Sequence, residues 1–365
     1  MLLYITAEDV FGSGTPERRG PRPLHTIPST VAGLFDLGLR HHVRPAAMTW
    51  STGGTLEAVP DWKLDRLAIR LALFGRERLG LEPGGRVALL GRLGWLWPVV
   101  DFAAMGFGVL PVGLEHDLPD DALASVLAEA APRAAFATDA ESAERLKRLR
   151  RAGRLGDATV VAEGLTEEEG LLSLERLMDL AAVLDTAERA QAFRAFSRQV
   201  APESPALWHA GPQGVVRLTH QAALAQAAPV LRARPAREGD VAYIDAPRVT
   251  VRKRLAMAAF VGDGYTTTAL GREGRAPEDV AGLRPHKALA SEAWVAVACD
   301  GRGPRWPAGL DRGRARRRVQ EALGGRLRWV EVGSAVSEET ARALAAAGIT
   351  LDVRDGAPGE AGFVD

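Results

Sequence analysis

Apolar positions along the chain recur with two alternating periods. In "DWKLDRLAIRLALFGRERLG", Leu64, Leu67, Ala68, Leu71 and Phe74 return every three or four residues, the spacing of one helix face, and Asp61 is placed to cap it. After the turn "LEPGG", "RVALLG" is a short unbroken apolar run and predicts a buried strand. Upstream, Ser29 or Thr30 caps a predicted helix through Arg40 with Val31, Leu34, Phe35 and Leu39 on one face, and "AAMTW" reads as a strand turned by Gly53 and Gly54. Downstream come a strand "VLPVGL", a helix from Pro119 to Ala130 and a strand-like "AAFAT". Ala140 to Val200 is charged and helix-prone, with "TEEEG" as an exposed loop. From Ser204 the alternation resumes. "PALWHAG" enters a glycine-rich turn and "THQAALAQAAPVLRA" leaves it as a helix. "VAYIDAP", "YTTTAL", "ALASEAWVAVA", "LRWVEVG" and "ITLDVRD" are strand candidates, and "SEETARALAAAG" is a helix with Ser337 as cap and Gly348 at its end. Helices alternating with short apolar strands imply parallel β/α units. The expected organisation is an irregular arm over 1–28, a first α/β subdomain over 29–200 and a second over 201–365.

Composition narrows this little. The 365 residues are 47% hydrophobic and 25% charged, and 46 basic residues balance 46 acidic ones. Net charge therefore gives no reason to expect nucleic acid or an anionic membrane as a partner. The basic run Arg312 to Gln320 reads as a solvated helix face. Trp95 to Leu114 approaches the length of a bilayer span, but Asp101, two prolines and several glycines make it a buried helix–turn–strand rather than a transmembrane segment. The first residues lack the basic lead of a secretory signal. The single cysteine, Cys299 in "WVAVACD", reads as a buried strand residue, rules out a disulfide framework and fits a cytoplasmic location. "EHDLPDD", Glu115 to Asp121, reads as a helix cap and solvated turn. There is no Gly-x-Ser-x-Gly elbow, His-Glu-x-x-His, Walker lysine loop or zinc-spaced Cys/His set.

Four stretches, in order, carry a resemblance. "EPGGRVALLGRLGWLWPVVDFAAMGFGVLPVGL" is similar to a "pGDRVAL…W…A…GAv.vpl" segment, and "GVVRLTH" to "KGVMLTH". "APEDVAGLRPHKALASEAW" is similar to "l.edl..vrPt…vPrvwe", and "LGGRLRWVEVGSAVSEETARALAAAGITL" to "lGgrlr…GGApl..e…ff.a.Gi.l". From about Thr26 onward the chain thus resembles the N-terminal domain of adenylate-forming enzymes, the long-chain acyl-CoA synthetases in particular. The resemblance implies an α/β fold of stacked, mostly parallel β-sheets with flanking helices, layered αβαβα. It also implies ATP and magnesium as cofactors wherever activity is retained.

The departures fall on chemistry. The family's phosphate loop reads approximately "[YT]SGTTGxPKGV", with glycines for close backbone approach and hydroxyls and a lysine for phosphate. Here Trp208, His209, Ala210 and Gly211 match its start, and Pro212, Gln213, Gly214 and Val215 its end, with "TTGx" absent and Gln213 at the lysine position. The resemblance makes His209, Gly211, Gln213, Gly214 and Thr219 the remnant nucleotide loop. His209 reads either as a hydrogen-bond donor or as a loop histidine filling a gap. In "YIDAPRVTVRKR", Pro247 falls near a family histidine. Gly333 and Ser334 fall in the "GGApl" segment, and "RDGAPGEAG" stands where the family has "YGxTE". Asp355 then replaces the adenine-stacking tyrosine, Gly356 keeps the glycine, and Glu360 serves as the magnesium glutamate only with a one-residue slip. The family's ribose aspartate and lysine-bearing lid domain belong beyond Asp365, and none of Lys63, Lys147, Lys253 and Lys287 is placed to substitute for the lid lysine.

These losses imply a degenerate homologue without autonomous adenylation, acting as a binding or interaction protein with a protein partner. The alternatives are an active or partner-completed fatty acid–CoA ligase and a fatty-acyl binding protein without a nucleotide site.

Overall fold

The computed structural model describes residues 28–41, 44–52, 55–233, 237, 239–245, 248–264, 266–271, 283–300, 312–333 and 335–353. The first part of the chain runs α1 (Val31–His41), β1 (Met48–Thr52), β2 (Thr55–Val59), α2 (Asp61–Arg78), β3 (Arg86–Leu90), α3 (Leu96–Gly106), β4 (Leu110–Leu114), α4 (Asp120–Ala130), β5 (Ala134–Ala137), α5 (Ala140–Arg151), β6 (Thr159–Ala162), β7 (Leu171–Ser173), α6 (Leu174–Ala182) and α7 (Ala187–Ser197). It continues with β8 (Pro205–Gly211), β9 (Gly214–Thr219), α8 (His220–Ala233), β10 (Val241–Ile244), α9 (Val251–Gly262), β11 (Thr267–Leu270), β12 (Lys287–Leu289), α10 (Glu292–Cys299), α11 (Arg312–Ala322), β13 (Trp329–Val332), α12 (Glu338–Ala346) and β14 (Thr350–Val353).

The strands form two seven-stranded sheets, β7-β6-β5-β3-β4-β8-β9 and β14-β13-β12-β10-β11-β1-β2. Each is parallel except for one antiparallel hairpin at an edge, β8–β9 in the first and β1–β2 in the second. Sheet membership does not follow chain order, since the first hairpin of the chain completes the later sheet. The period-two alternation along each strand sorts side chains between layers. Val87 and Leu89 of β3 face a central cluster, while Ala88 and Leu90 face a second cluster with Leu123, Leu127 and Leu146. In the second sheet, Ala242 and Ile244 face the central cluster and Val241 and Tyr243 face the third, with Trp294, Val319 and Leu344. Helices α1, α2, α3, α8 and α9 fill the space between the sheets, α4 and α5 cover one outer face, and α10, α11 and α12 the other. This is the expected αβαβα layering.

Local chemistry accounts for the helix ends. Thr30 Oγ1 accepts from Gly33 N at 3.0 Å and starts α1, and Ser337 caps α12 by accepting from Thr340 N. Three expectations need correction. Asp61 is the first residue of α2 rather than its cap, and its carboxylate accepts instead from the backbone N and guanidinium of Arg44. "WVAVACD" is helix α10, not strand: Trp294, Val295, Ala298 and Cys299 are buried at helical spacing on one face, which an alternating string of small and β-branched residues disguises. Strands β2, β6, β7 and β9 add to the set read from the sequence. Among the described residues, no helix is long and apolar enough to cross a membrane, and Trp95 to Leu114 is the expected buried helix, turn and strand.

Candidate functional site

"WHAGPQGVVRLTH" is a β-hairpin. Trp208 pairs with Arg217, His209 with Val216, Ala210 with Val215 and Gly211 with Gly214. Only Pro212 and Gln213 remain to make the turn, and Gly214 takes φ +116°, a value suited to glycine. Gln213 and Gly214 are exposed at the tip. Thr219, at the far end of β9, accepts from Ala222 N at 3.2 Å and caps α8. Arg217 stacks over the Trp208 ring at 4.4 Å and pairs with Glu129, on the outer surface.

His209 is therefore a buried strand residue, not a loop residue. Its Nε2 donates to Glu115 Oε1 at 3.2 Å. Burial lowers its pKa, partly opposed by that hydrogen bond, so the ring is neutral at pH 7. The reading of "EHDLPDD" as a solvated turn fails at Glu115, which is buried at the end of β4. A Cβ on Gly211 would lie 2.2 Å from Glu115 Oε1. A carboxylate thus packs directly against the first glycine of the remnant loop. The rest of that segment is held by arginines, with Arg248 reaching Asp117 at 3.2 Å and Arg145 reaching Asp120 at 2.7 Å.

Around Glu115 the strands of both sheets end in charge. Asp245 follows β10, is buried, and accepts from Ser291 N at 3.2 Å. Glu292 opens α10 and lies beside Gly333, where a Cβ would be 3.4 Å from its Oε1. Glu331 of β13 is buried and pairs with Arg252. Lys253, in the first turn of α9, has its pKa lowered by burial, against which the charges of Asp245, Glu115 and Glu292 work, while Arg248 adds to the lowering. Lys253, Asp245, Glu115 and Glu292 come together at the carboxyl ends of parallel strands, the place at which open α/β sheets bind ligands in a cleft. Of the residues singled out from the sequence, His209, Gly211 and Gly333 lie at this cleft, whereas Gln213, Gly214 and Thr219 do not contribute to it. Ser334, Asp355, Gly356, Glu360 and Pro247 lie outside the described residues. Among the described residues, no group of three or more His, Cys, Asp or Glu side chains is arranged to hold a metal ion. Sequence reading missed Glu115, Asp245, Lys253, Glu292 and Glu331. The usable signal was position, since each acid ends or follows a strand and Lys253 opens the helix after one.

Behind the cleft, Arg254 is fully buried. Its Nε donates to Asp101 Oδ2 at 2.7 Å, and Nη1 donates to Trp208 O at 3.2 Å. Gly113 of β4 makes room for it: a Cβ there would lie 2.6 Å from Arg254 Nη1 and 2.8 Å from His209 Nδ1.

The AMP-binding enzyme profile matches residues 63–356. No curated protein gives a significant sequence match. Among solved structures, a fatty acyl CoA synthetase of Mycobacterium tuberculosis superposes with TM-score 0.61 at 17% identity, over 88% of this chain and 58% of that one. The A domain of carboxylic acid reductase from Segniliparus rugosus, in complex with AMP and a co-purified carboxylic acid, gives 0.62 at 15% identity, over 90% and 60%. The luciferase-like enzyme from the nonluminescent Zophobas morio mealworm gives 0.65 at 12% identity, over 91% and 73%. The chain thus spans roughly three-fifths to three-quarters of the length of these structures, and its two-sheet α/β fold is that of their N-terminal region. With four-fifths of its residues inside the profile match and the same fold throughout, the chain belongs to the AMP-binding enzyme family.

Proposed function

We propose that this chain keeps the family fold but not autonomous adenylation, and works as a cytoplasmic binding or interaction protein. The observation that carries this reading is the hairpin register: Gly211 pairs with Gly214 across a two-residue turn, so little backbone is left to wrap phosphates. Glu115 sits against the inner glycine of that turn, where its charge repels a phosphate. Adenylation depends on donors aimed at developing phosphoryl charge, and removing one such donor typically costs about 3–4 kcal/mol of transition-state stabilisation. The apolar cavity between α2, α3 and β3 does not support an acyl-binding role, since it holds about 20 Å³ against a few hundred Å³ for an ordinary ligand pocket (roughly 300 or more).

One observation favours a second reading, an active or partner-completed fatty acid–CoA ligase. Lys253 is a cation in the cleft with a pKa lowered by burial, the kind of group that could meet a reacting carboxylate. The test is calorimetric titration with a non-hydrolysable long-chain acyl-adenylate analogue, paired with an ATP–pyrophosphate exchange assay over a panel of carboxylic acids. No binding and no exchange in a folded sample is the expected result. Micromolar binding, or exchange by the chain alone, would overturn the proposal.

A further inference from the structure

The opposite ends of the second sheet carry the reverse charge balance. A groove of about 420 Å³ lies between α11, the turn into β13 and the end of α12, at the amino ends of the strands and away from the cleft. Arg316, Arg317, Arg326 and Arg328 line it, and among the described residues no acidic side chain does. Gln320 fixes its walls by donating from Nε2 to Leu327 O at 3.0 Å and Ala347 O at 3.1 Å, tying α11 to both neighbouring segments.

The positive charge is only partly matched. Arg328 donates from Nη2 to Asp240 Oδ1 at 2.6 Å, while its buried Nε has no hydrogen-bond partner among the described residues. Arg316 and Arg317 are exposed. Burial lowers the pKa of Arg326, the charge of Arg284 adds to the lowering, and Asp240 opposes it. An arginine stays protonated through such a shift, so the one carboxylate of Asp240 faces several guanidiniums. Guanidinium forks match phosphate oxygens two at a time. The concavity matters for the choice of ligand, because a nucleic acid backbone is tracked by a long basic stripe or a groove-entering element. Here Arg316 and Arg317 of α11 share one concave groove with Arg326 and Arg328, over a volume suited to a small molecule.

We propose that this groove binds a compact polyanion carrying adjacent phosphoryl groups, independently of the cleft at the carboxyl ends of the strands. The probes are inorganic pyrophosphate and tripolyphosphate, titrated calorimetrically into the full chain at low and moderate salt. Binding with 1:1 stoichiometry is expected for tripolyphosphate, weakening as salt rises. The exposed pair R316Q/R317Q should lower affinity at least about tenfold, the scale of losing a charged hydrogen bond, with the unfolding transition unchanged. Lys253→Met, in the cleft, should leave it unaltered. The inference fails if tripolyphosphate gives no heat, if R316Q/R317Q binds as well as the parent, or if Lys253→Met abolishes binding. It also fails if a 20-nucleotide RNA binds through these arginines while tripolyphosphate does not.

Discussion

Helices α3 and α9 occupy equivalent places in the two sheets, whose first five strands share one order. Each follows the central strand of its sheet, β3 or β10, and leads to the neighbouring strand, β4 or β11. Their compositions diverge. All eleven residues of α3 are buried, and Asp101 is its one charged side chain. Helix α9 is buried from Arg254 onward but opens with Arg252, Lys253 and Arg254 in its first turn. That is the unfavourable end of a helix for cations, since the macrodipole is positive there. The arrangement holds because Glu331 takes Arg252, Asp101 takes Arg254, and the cleft carboxylates surround Lys253. One topological slot serves packing in the first sheet and charge display in the second, and the Asp101–Arg254 pair joins the two.

Breaking that joint should give the largest effect. Asp101→Ala leaves Arg254 charged and enclosed, and the expected loss is about 3–5 kcal/mol of unfolding free energy. Replacing both partners, as Asp101→Leu with Arg254→Met, should recover most of it, because the buried charge disappears with its partner. Urea unfolding with comparable m-values measures both. A loss under about 1 kcal/mol for Asp101→Ala would show that water or rearrangement solvates Arg254, and the two helices would then not be joined through charge.

A pH titration of stability comes next in size. His220, fully buried at the start of α8, accepts from Val31 N through Nδ1 at 3.3 Å, and its burial brings its pKa to about 4. It thereby ties α8 to α1 in the layer that holds α3 and α9. His286 likewise accepts from Val241 N at 3.1 Å, with burial again the main reason that its pKa is about 4. Both rings are neutral in the fold and protonate in the unfolded chain below about pH 6.5. Their contribution is therefore complete above pH 6.5 and is lost as pH falls toward 4. For His220 alone the loss approaches roughly 3 kcal/mol, at about 1.4 kcal/mol per unit. Unfolding midpoints between pH 7.5 and 4 should fall accordingly. His220→Asn, which keeps an acceptor near the Nδ1 position, should flatten part of the profile. An unchanged slope in that variant would assign the acid loss elsewhere.

Much of the fold was legible because it rests on local pattern. The faces of α1 and α2, the runs in β3, β4 and β10 and the caps Thr30 and Ser337 are all written within a few residues of one another. The site was legible only at His209 and two glycines, and not in its partnerships. His209 and Glu115 are 94 residues apart and Asp101 and Arg254 are 153 apart, so no spacing rule links them. The sequence around Glu115 even argues for solvent, since three further acidic residues follow it. Helix α10 was misread for a different reason: "WVAVACD" alternates like a strand, and burial on one side by α12 decided otherwise. The two-residue turn was countable in the sequence, but its meaning depended on Gly211 and Gly214 facing each other across a ladder.

The hairpin gives the smallest expected effect. Gln213→Lys restores the one cation whose absence is plainest from the sequence. Gln213 is exposed, so stability should change by less than about 0.5 kcal/mol. ATP–magnesium binding, followed by calorimetry, should stay undetectable, because the new ammonium sits on a turn of two residues with Glu115 beneath Gly211. Adding Glu115→Gln removes the repulsion without lengthening the turn. Weak binding that appears only in this double variant would assign the loss to the carboxylate. Binding in Gln213→Lys alone would reduce the difference from an active family member to one side chain, and the charges at the start of α9 would then be the place to look for a retained reaction.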